Sequence, residues 1–178
     1  MNTVFFAKRD KFSSYSELFS FILRKKFNIT EFEIERNENG KPFLKLPSTS
    51  NPPLFFSVSH TKDAYFIAIS NENVGIDAEL LNRSVNYMPI LSRFSQAKRE
   101  EIRTTEDFLK LWTIKESVIK WLGGTLAHDL RNLTYEKGFL KYKGLDLPLQ
   151  ITQTIFKEHV LTVCQETETV WNYENIDT

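Results

Sequence analysis

Cysteine is almost absent. Cys164 is the single thiol among 178 residues, so neither an intramolecular disulfide nor a cysteine-built zinc cage can form. Glycine and proline number six each, too few for a collagen-like or low-complexity chain. An excess of one charge is missing too, because 23 Lys and Arg balance 23 Asp and Glu. That balance excludes the broad single-sign field on which nucleic-acid-coating and membrane-attracted proteins rely, so neither nucleic acid nor membrane is an expected partner. It leaves room for a small, locally charged site. No apolar run approaches the ~18–20 residues of a spanning helix. The stretch Met1-Asn2-Thr3-Val4-Phe5-Phe6-Ala7-Lys8 reaches charge too early for a secretory apolar core. These absences make a soluble cytoplasmic protein the expectation. What is present is ordinary for a globular chain: 41% hydrophobic and 26% charged residues, sufficient for one medium domain or two small lobes.

The patterning predicts a mixed chain. Ser14 and Glu17 fit a capping box, and Tyr15, Leu18, Phe19, Ile22 and Leu23 repeat at helical spacing, which predicts a helix over 14–27. Turn signals surround Gly40-Lys41-Pro42 and residues 47–53, with a short strand at Phe43–Leu46 between them. Phe56, Val58 and His60 alternate with Ser57 and Ser59. Tyr65–Ile69 is a short apolar run, and Val74–Leu80 alternates again. Residues 85–103 read as irregular helix. A stronger helix begins near Thr104 or Thr105 and ends at Gly123-Gly124. Strands are expected around Leu133–Tyr142, Leu149–Phe156 and His159–Cys164. A helix followed by about three strands thus occurs twice. The last stretch, with Glu158, Glu166, Glu168, Glu174 and Asp177 after Lys157, reads as an acidic, frayed tail.

Chemistry concentrates on the strand at 74–80. Period-two geometry puts Val74, Ile76, Ala78 and Leu80 on one face and Gly75, Asp77 and Glu79 on the other. Two carboxylates side by side repel unless water, a cation or a basic side chain intervenes, and a hard cation such as Mg²⁺ suits them. Such a pair alone is most often two ordinary acids on a solvated strand. Glu116 strengthens the case, because Trp112, Glu116 and Lys120 form one stripe on the 105–122 helix. If that stripe meets the Asp77/Glu79 face, three carboxylates and a lysine would bind a divalent metal plus an anion. His60 closes its strand before Thr61-Lys62-Asp63, where it is either structural or a phosphate contact. His128 and His159 read as structural or surface residues.

Gly40-Lys41-Pro42, Phe56-Ser57-Val58-Ser59-His60-Thr61, Val74-Gly75-Ile76-Asp77-Ala78-Glu79 and Leu111-Trp112-Thr113-Ile114-Lys115-Glu116-Ser117 with Lys120 follow in order. Together they resemble the motifs of 4′-phosphopantetheinyl transferases, over roughly residues 14–124. The resemblance implies transfer of the 4′-phosphopantetheine arm of coenzyme A to a serine of an apo carrier protein, releasing adenosine 3′,5′-bisphosphate. It implies Mg²⁺, with Mn²⁺ as an alternative, held by Asp77, Glu79 and Glu116. Glu116 would also be the base, directly or through water. Lys120 and His60 would contact phosphates, and Gly40, Lys41, Pro42 and Ser59 would border the coenzyme. Lys115 matches the motif without a clear role, and Trp112 is expected to pack the helix.

The mid-chain position of Asp77 resembles the Sfp-type class. That implies an α+β fold of two similar helix-plus-three-strand lobes, 1–84 and 85–178, related by a pseudo-twofold with one site between them, acting as a monomer. The metal acids Asp77/Glu79 and Glu116 would then come from opposite lobes. Two departures stand out. Ser57 stands where many relatives have Asn, and the segment before the first helix is shorter than is typical of the class. Arg93, Lys98, Arg99 and Arg103, interspersed with Ile90, Leu91 and Phe94 and diluted by Glu100 and Glu101, would form a basic and apolar patch for an acidic carrier of a fatty-acid, polyketide or nonribosomal-peptide system. Two other readings compete: a metal-dependent phosphodiesterase or nuclease, and an inactive coenzyme A or carrier-binding module of the same fold.

Overall fold

Three strands buried on both faces set the architecture. The computed structural model describes residues 2–47, 53–94 and 96–176, apart from the side chains of 96–98. In chain order the elements are β1 (Thr3–Lys8), α1 (Tyr15–Lys26), β2 (Glu33–Arg36), β3 (Pro42–Lys45), β4 (Phe55–His60), β5 (Ala64–Ser70) and β6 (Gly75–Leu80). Then come α2 (Met88–Leu91), α3 (Gln96–Glu101), α4 (Thr105–Leu122), α5 (Leu126–Asp129), β7 (Leu133–Glu136), β8 (Phe139–Tyr142), β9 (Leu145–Asp146), β10 (Gln150–Phe156), β11 (His159–Gln165) and β12 (Asn172–Asn175). This is the α+β composition expected. No described helix is long and apolar enough to cross a membrane.

Two main sheets have the orders β12-β1-β5-β4 and β10-β11-β6. The first run, β1 to β5, ends with β5 docked between β1 and β4; the second, β6 to β11, ends with β11 docked between β6 and β10. Each run carries one long helix and a small antiparallel insert, β2-β3 or β7-β8-β9. Strand pairing therefore joins β6 to the sheet of the later residues, with Asp77 opposite Thr162 and Glu79 opposite Val160. The boundary between the two sheets falls between Ser70 and Gly75.

Alternation explains the layers. In β1, Phe5 and Ala7 pack with α1, while Val4 and Phe6 face the second sheet. In β5, Tyr65, Ile67 and Ile69 turn to α1, and Ala64, Phe66 and Ala68 turn the other way. Leu18, Phe19, Ile22 and Leu23 of α1 are fully buried, each contributing about 1.5–3 kcal/mol. Val74, Ile76, Ala78, Leu161 and Val163 complete the layer between the sheets, and α4 covers the opposite face of the second sheet. The α1 cap is a variant of the expected box: Ser14 accepts from Glu17 N–H at 3.2 Å, but Glu17 reaches back one residue further, to Ser13. The α4 box is complete, between Thr104 and Asp107.

Three features differ from the sequence expectation. Residues 3–8 form β1, a strand at the heart of the first sheet. Residues 33–36 form β2, paired with β3. The acidic tail is ordered rather than frayed: β12 pairs in parallel with β1, Trp171 and Ile176 are buried, and Glu174 meets Lys26. Two apolar anchors flank the strand and outweigh the acidic composition. Asp177 lies outside the described residues.

Gly75 fixes the distance between β6 and α4. A Cβ there would stand 1.9 Å from Ser117 O and 2.8 Å from Trp121 N, both backbone atoms. Gly75→Ala should therefore lower unfolding stability by about 1–3 kcal/mol or more, measured by guanidinium titration; native stability in this variant would refute the close-approach constraint.

Candidate active site

The polar face of β6 looks at α4, as the alternation predicts. Asp77 is 4% exposed. Its Oδ1 accepts from Lys120 Nζ at 2.7 Å and from Ser59 Oγ at 2.9 Å. Its Oδ2 is buried with no hydrogen-bond partner. Glu79 Oε2 accepts from Arg83 Nη1 at 2.5 Å. Sequence reasoning missed Arg83; the i,i+4 spacing from Glu79, just past the strand, was its only signal. Glu116 completes the group: burial first, then the charge of Asp77, push its carboxyl up to about 8, with Glu79 adding to the rise and Lys120 and Arg83 opposing it.

The structure thus brings Asp77, Glu79, Glu116, Lys120 and Ser59 into one electrostatic cluster. Asp77 and Glu79 come from β6, in the second sheet, and Glu116 from α4, which packs on that sheet. Among the described residues, no three His, Cys, Asp or Glu side chains form a ready-made metal cage. The donor set nevertheless fits a hard cation. One buried carboxylate oxygen lacks a partner, and a neighbouring carboxyl is raised by like charge, which a cation would relieve. Mg²⁺ commonly takes only one or two carboxylates and completes its shell with water and substrate phosphates.

Ser57 and Ser59 act at a seam. β4 and β6 are neighbours in different ladders, and their contact runs through side chains. Ile76 N–H donates to Ser57 Oγ at 3.2 Å, and Ala78 N–H to Ser59 Oγ at 3.1 Å. Ser59, expected beside the coenzyme, is buried against Asp77 instead. His60 is exposed at the end of β4, edge-on to Tyr65.

The Gly40–Pro42 turn lies at the far end of α4. Lys41 Nζ donates to Asn73 Oδ1 at 2.7 Å and to Trp121 O at 3.0 Å, and burial lowers its ammonium to about 8. A cavity of about 560 Å³ opens there between Lys41, Pro42, Phe43, Phe55 and Trp121. Lys115 is buried, its ammonium bonded to Leu133 O and 5.0 Å from the Phe94 ring centre. Trp112 stacks on Phe108, in keeping with its expected packing role. Of the basic and apolar patch, Arg93, Arg99 and Arg103 are exposed while Leu91 and Phe94 belong to the core; the Lys98 side chain lies outside the described residues. His159 is buried, with Nε2 3.2 Å from Thr61 Oγ1 and 3.4 Å from Asp63 Oδ1. Cys164 is buried, its thiol pushed up to about 12, and therefore inert.

The Glu116 shift has a signed consequence. The folded chain holds this proton up to about pH 8, whereas the unfolded chain releases it near 4.5. Its stabilisation is full below 4.5 and is lost as pH rises through 8. Cation-free protein should show a Tm falling between pH 5 and 8. Glu116→Gln should flatten that slope and raise Tm at pH 8, at about 2–4 °C per kcal/mol for a chain of this size. Scanning calorimetry in EDTA checks it, and an unaltered slope would remove Glu116 from the repulsive cluster.

Comparison with known proteins bears on the same segment. The 4′-phosphopantetheinyl transferase superfamily matches residues 73–164, which contain β6 and α4. The L-aminoadipate-semialdehyde dehydrogenase-phosphopantetheinyl transferase of Homo sapiens is 30% identical over 172 residues, 86% of this chain and 52% of that protein. The same-named protein of Xenopus laevis is 30% identical over 158 residues, 80% of this chain and 49% of that protein. The 4′-phosphopantetheinyl transferase gsp of Aneurinibacillus migulanus is 31% identical over 141 residues, 70% and 55% of the two chains. The chain spans about half the length of the curated relatives it matches. With the family match covering Asp77, Glu79, Glu116 and Lys120, the chain belongs to the 4′-phosphopantetheinyl transferase superfamily.

Proposed function

We propose that this chain transfers the 4′-phosphopantetheine arm of coenzyme A to a serine hydroxyl of an apo carrier protein, as an Sfp-type enzyme. The observation that carries the reading is the buried Asp77: one oxygen held by Lys120 and Ser59, the other unpartnered, beside a carboxyl raised to about 8. Asp77, Glu79 and Glu116 would hold Mg²⁺, which when bound supplies positive charge to the pyrophosphate. Two lobes, the β1–β5 and β6–β11 runs, would frame the site, and the chain would act as a monomer.

The residues then divide the work. Lys120 is a point charge for a phosphoryl oxygen, delivered from the helix that carries Glu116. Glu116 accepts the proton of the attacking serine, directly or through water. A cation on the cluster would offset the burial and like charge that raise this carboxyl, leaving it ionised and able to accept a proton. The serine oxygen forms a bond to the phosphorus that bears the pantetheine arm. The bond from that phosphorus to the bridging oxygen breaks, and adenosine 3′,5′-bisphosphate leaves. His60, exposed beside Ser59, is the second phosphate contact. The cavity bounded by Lys41 and Pro42, one residue beyond Lys120, borders the nucleotide. Arg93, Arg99 and Arg103 supply the charge that meets an acidic carrier of a fatty-acid, polyketide or nonribosomal-peptide system.

Incubation with coenzyme A, Mg²⁺ and an apo carrier should add the phosphopantetheine mass to the carrier, and EDTA should abolish the gain. Asp77→Ala and Glu116→Ala should each lower turnover by about 10²-fold or more while retaining the native circular dichroism. No gain with carriers of all three systems, or cleavage of simple phosphodiesters in its place, would overturn the assignment.

A further inference from the structure

The end of α4 is closed by side chains from far away in the chain. The last carbonyls of a helix have no partner within it; in α4 the Gly123 and Gly124 N–H groups take Lys120 O and Ile119 O, while Trp121 O and the C-cap Gly123 O find theirs elsewhere in the chain. Trp121 O accepts from Lys41 Nζ at 3.0 Å and from Asn73 Nδ2 at 2.9 Å. Gly123 O accepts from Asn37 Nδ2 at 3.1 Å and from Asn39 Nδ2 at 2.9 Å. Asn37 Oδ1 in turn fixes the turn, accepting from Asn39 N–H at 3.0 Å and Lys41 N–H at 2.8 Å. The partly buried lysine ammonium also suits the negative end of the helix dipole. Lys120, the partner of Asp77, lies one residue before Trp121, and Glu116 one helical turn earlier.

We propose that Asn37, Asn39, Lys41 and Asn73 are positioning residues: a helix cap supplied in trans that holds α4 in register, so that Glu116 and Lys120 stand against Asp77. The Lys41 ammonium serves the helix end, not a phosphate of the substrate. The inference deepens the proposed function and rests on it for its catalytic readout. The chemistry favours a cap over a ligand site. Lys41 Nζ already donates to Asn73 Oδ1 and Trp121 O, and both acceptors are held by further bonds. Four donors converging on two carbonyls leave those carbonyls no spare lone pair, so two of the three ammonium protons of Lys41 are committed without a substrate. The Asn39 and Asn73 side chains donate to the helix end alone. Misplacement of a catalytic group by about 1 Å can cost about 10²-fold in rate, so loss of the cap should reach turnover more than substrate affinity.

Three measurements test this on Lys41→Met and Asn39→Ala: amide exchange of residues 118–124, the dissociation constant for coenzyme A by calorimetry, and transfer kinetics. Both variants should lose about tenfold protection in that last turn, with α1 amides unchanged. Both should lower kcat by about ten- to a hundredfold, with coenzyme A affinity falling by less than about tenfold. If Lys41→Met weakens coenzyme A at least tenfold while exchange stays native, Lys41 is a phosphate ligand and the proposal falls. Native exchange in both variants overturns it as well. Should the native chain neither bind coenzyme A nor transfer its arm, the proposed activity fails, and the exchange measurement alone decides the cap.

Discussion

The close approach of α4 to β6 at Gly75 is the constraint on which the site depends. The helix backbone at Ser117 occupies the space a side chain would need, so β6 and α4 touch backbone to backbone. At that spacing Asp77, two residues along the strand, cannot project into solvent and is driven beneath the helix. Lys120 lies within hydrogen-bond distance of it and Glu116 within its field. The glycine of the Gly-x-Asp-x-Glu pattern is therefore not a flexible residue. It is the absence of a side chain that lets a charged helix stripe meet a charged strand face.

Such a meeting is unfavourable for the fold. Burying a carboxylate costs several kcal/mol unless charge and hydrogen bonds compensate, and here compensation is partial. Lys120 and Ser59 satisfy one oxygen of Asp77, the second has no partner, and Glu116 retains its proton to an unusual pH. The surrounding structure supplies the rigidity that keeps the cluster from relaxing. β1, β5 and β11 are buried on both faces, a double-sided arrangement rare in small antiparallel sheets. Thr113 of α4 bonds to Thr162 of β11 at 2.8 Å in the interior. Local destabilisation confined to one seam of an otherwise apolar interior is the expected character of a functional site.

Much of this was legible in residue order. Alternation along Val74–Leu80 predicted which side of β6 carries the acids, and the 3.6-residue stripe through Trp112, Glu116 and Lys120 predicted what meets them. Both are one-dimensional periodicities that a packed layer preserves. The partners across the chain were not legible. Thr3–Lys8 has no alternation because both its faces are buried, and a continuous apolar run of that length does not declare a strand. Asn172–Asn175 is polar and acidic, and only its flanking Trp171 and Ile176 hold it in the sheet. The asparagines at 37, 39 and 73 lie outside the helices and strands. Their donation to Trp121 and Gly123 spans 48–86 residues of sequence and leaves no periodic trace.

Ser57 and Ser59 show why the site lies where two sheets meet rather than within one. In a regular ladder the N–H groups of Ile76 and Ala78 would be met by backbone carbonyls, which accept and cannot donate. Here two hydroxyls take that place. A hydroxyl accepts from the strand and still has a proton to give, and Ser59 gives its proton to Asp77. The seam satisfies the edge of β6 and simultaneously supplies a donor to the anion on it. For this purpose a serine at position 57 accepts the Ile76 N–H at 3.2 Å with less bulk than an asparagine, so the departure at Ser57 is compatible with the arrangement. What distinguishes the β4–β6 contact from a ladder is thus a hydroxyl, that of Ser59, which accepts from the strand and donates to one oxygen of Asp77, leaving the other oxygen free.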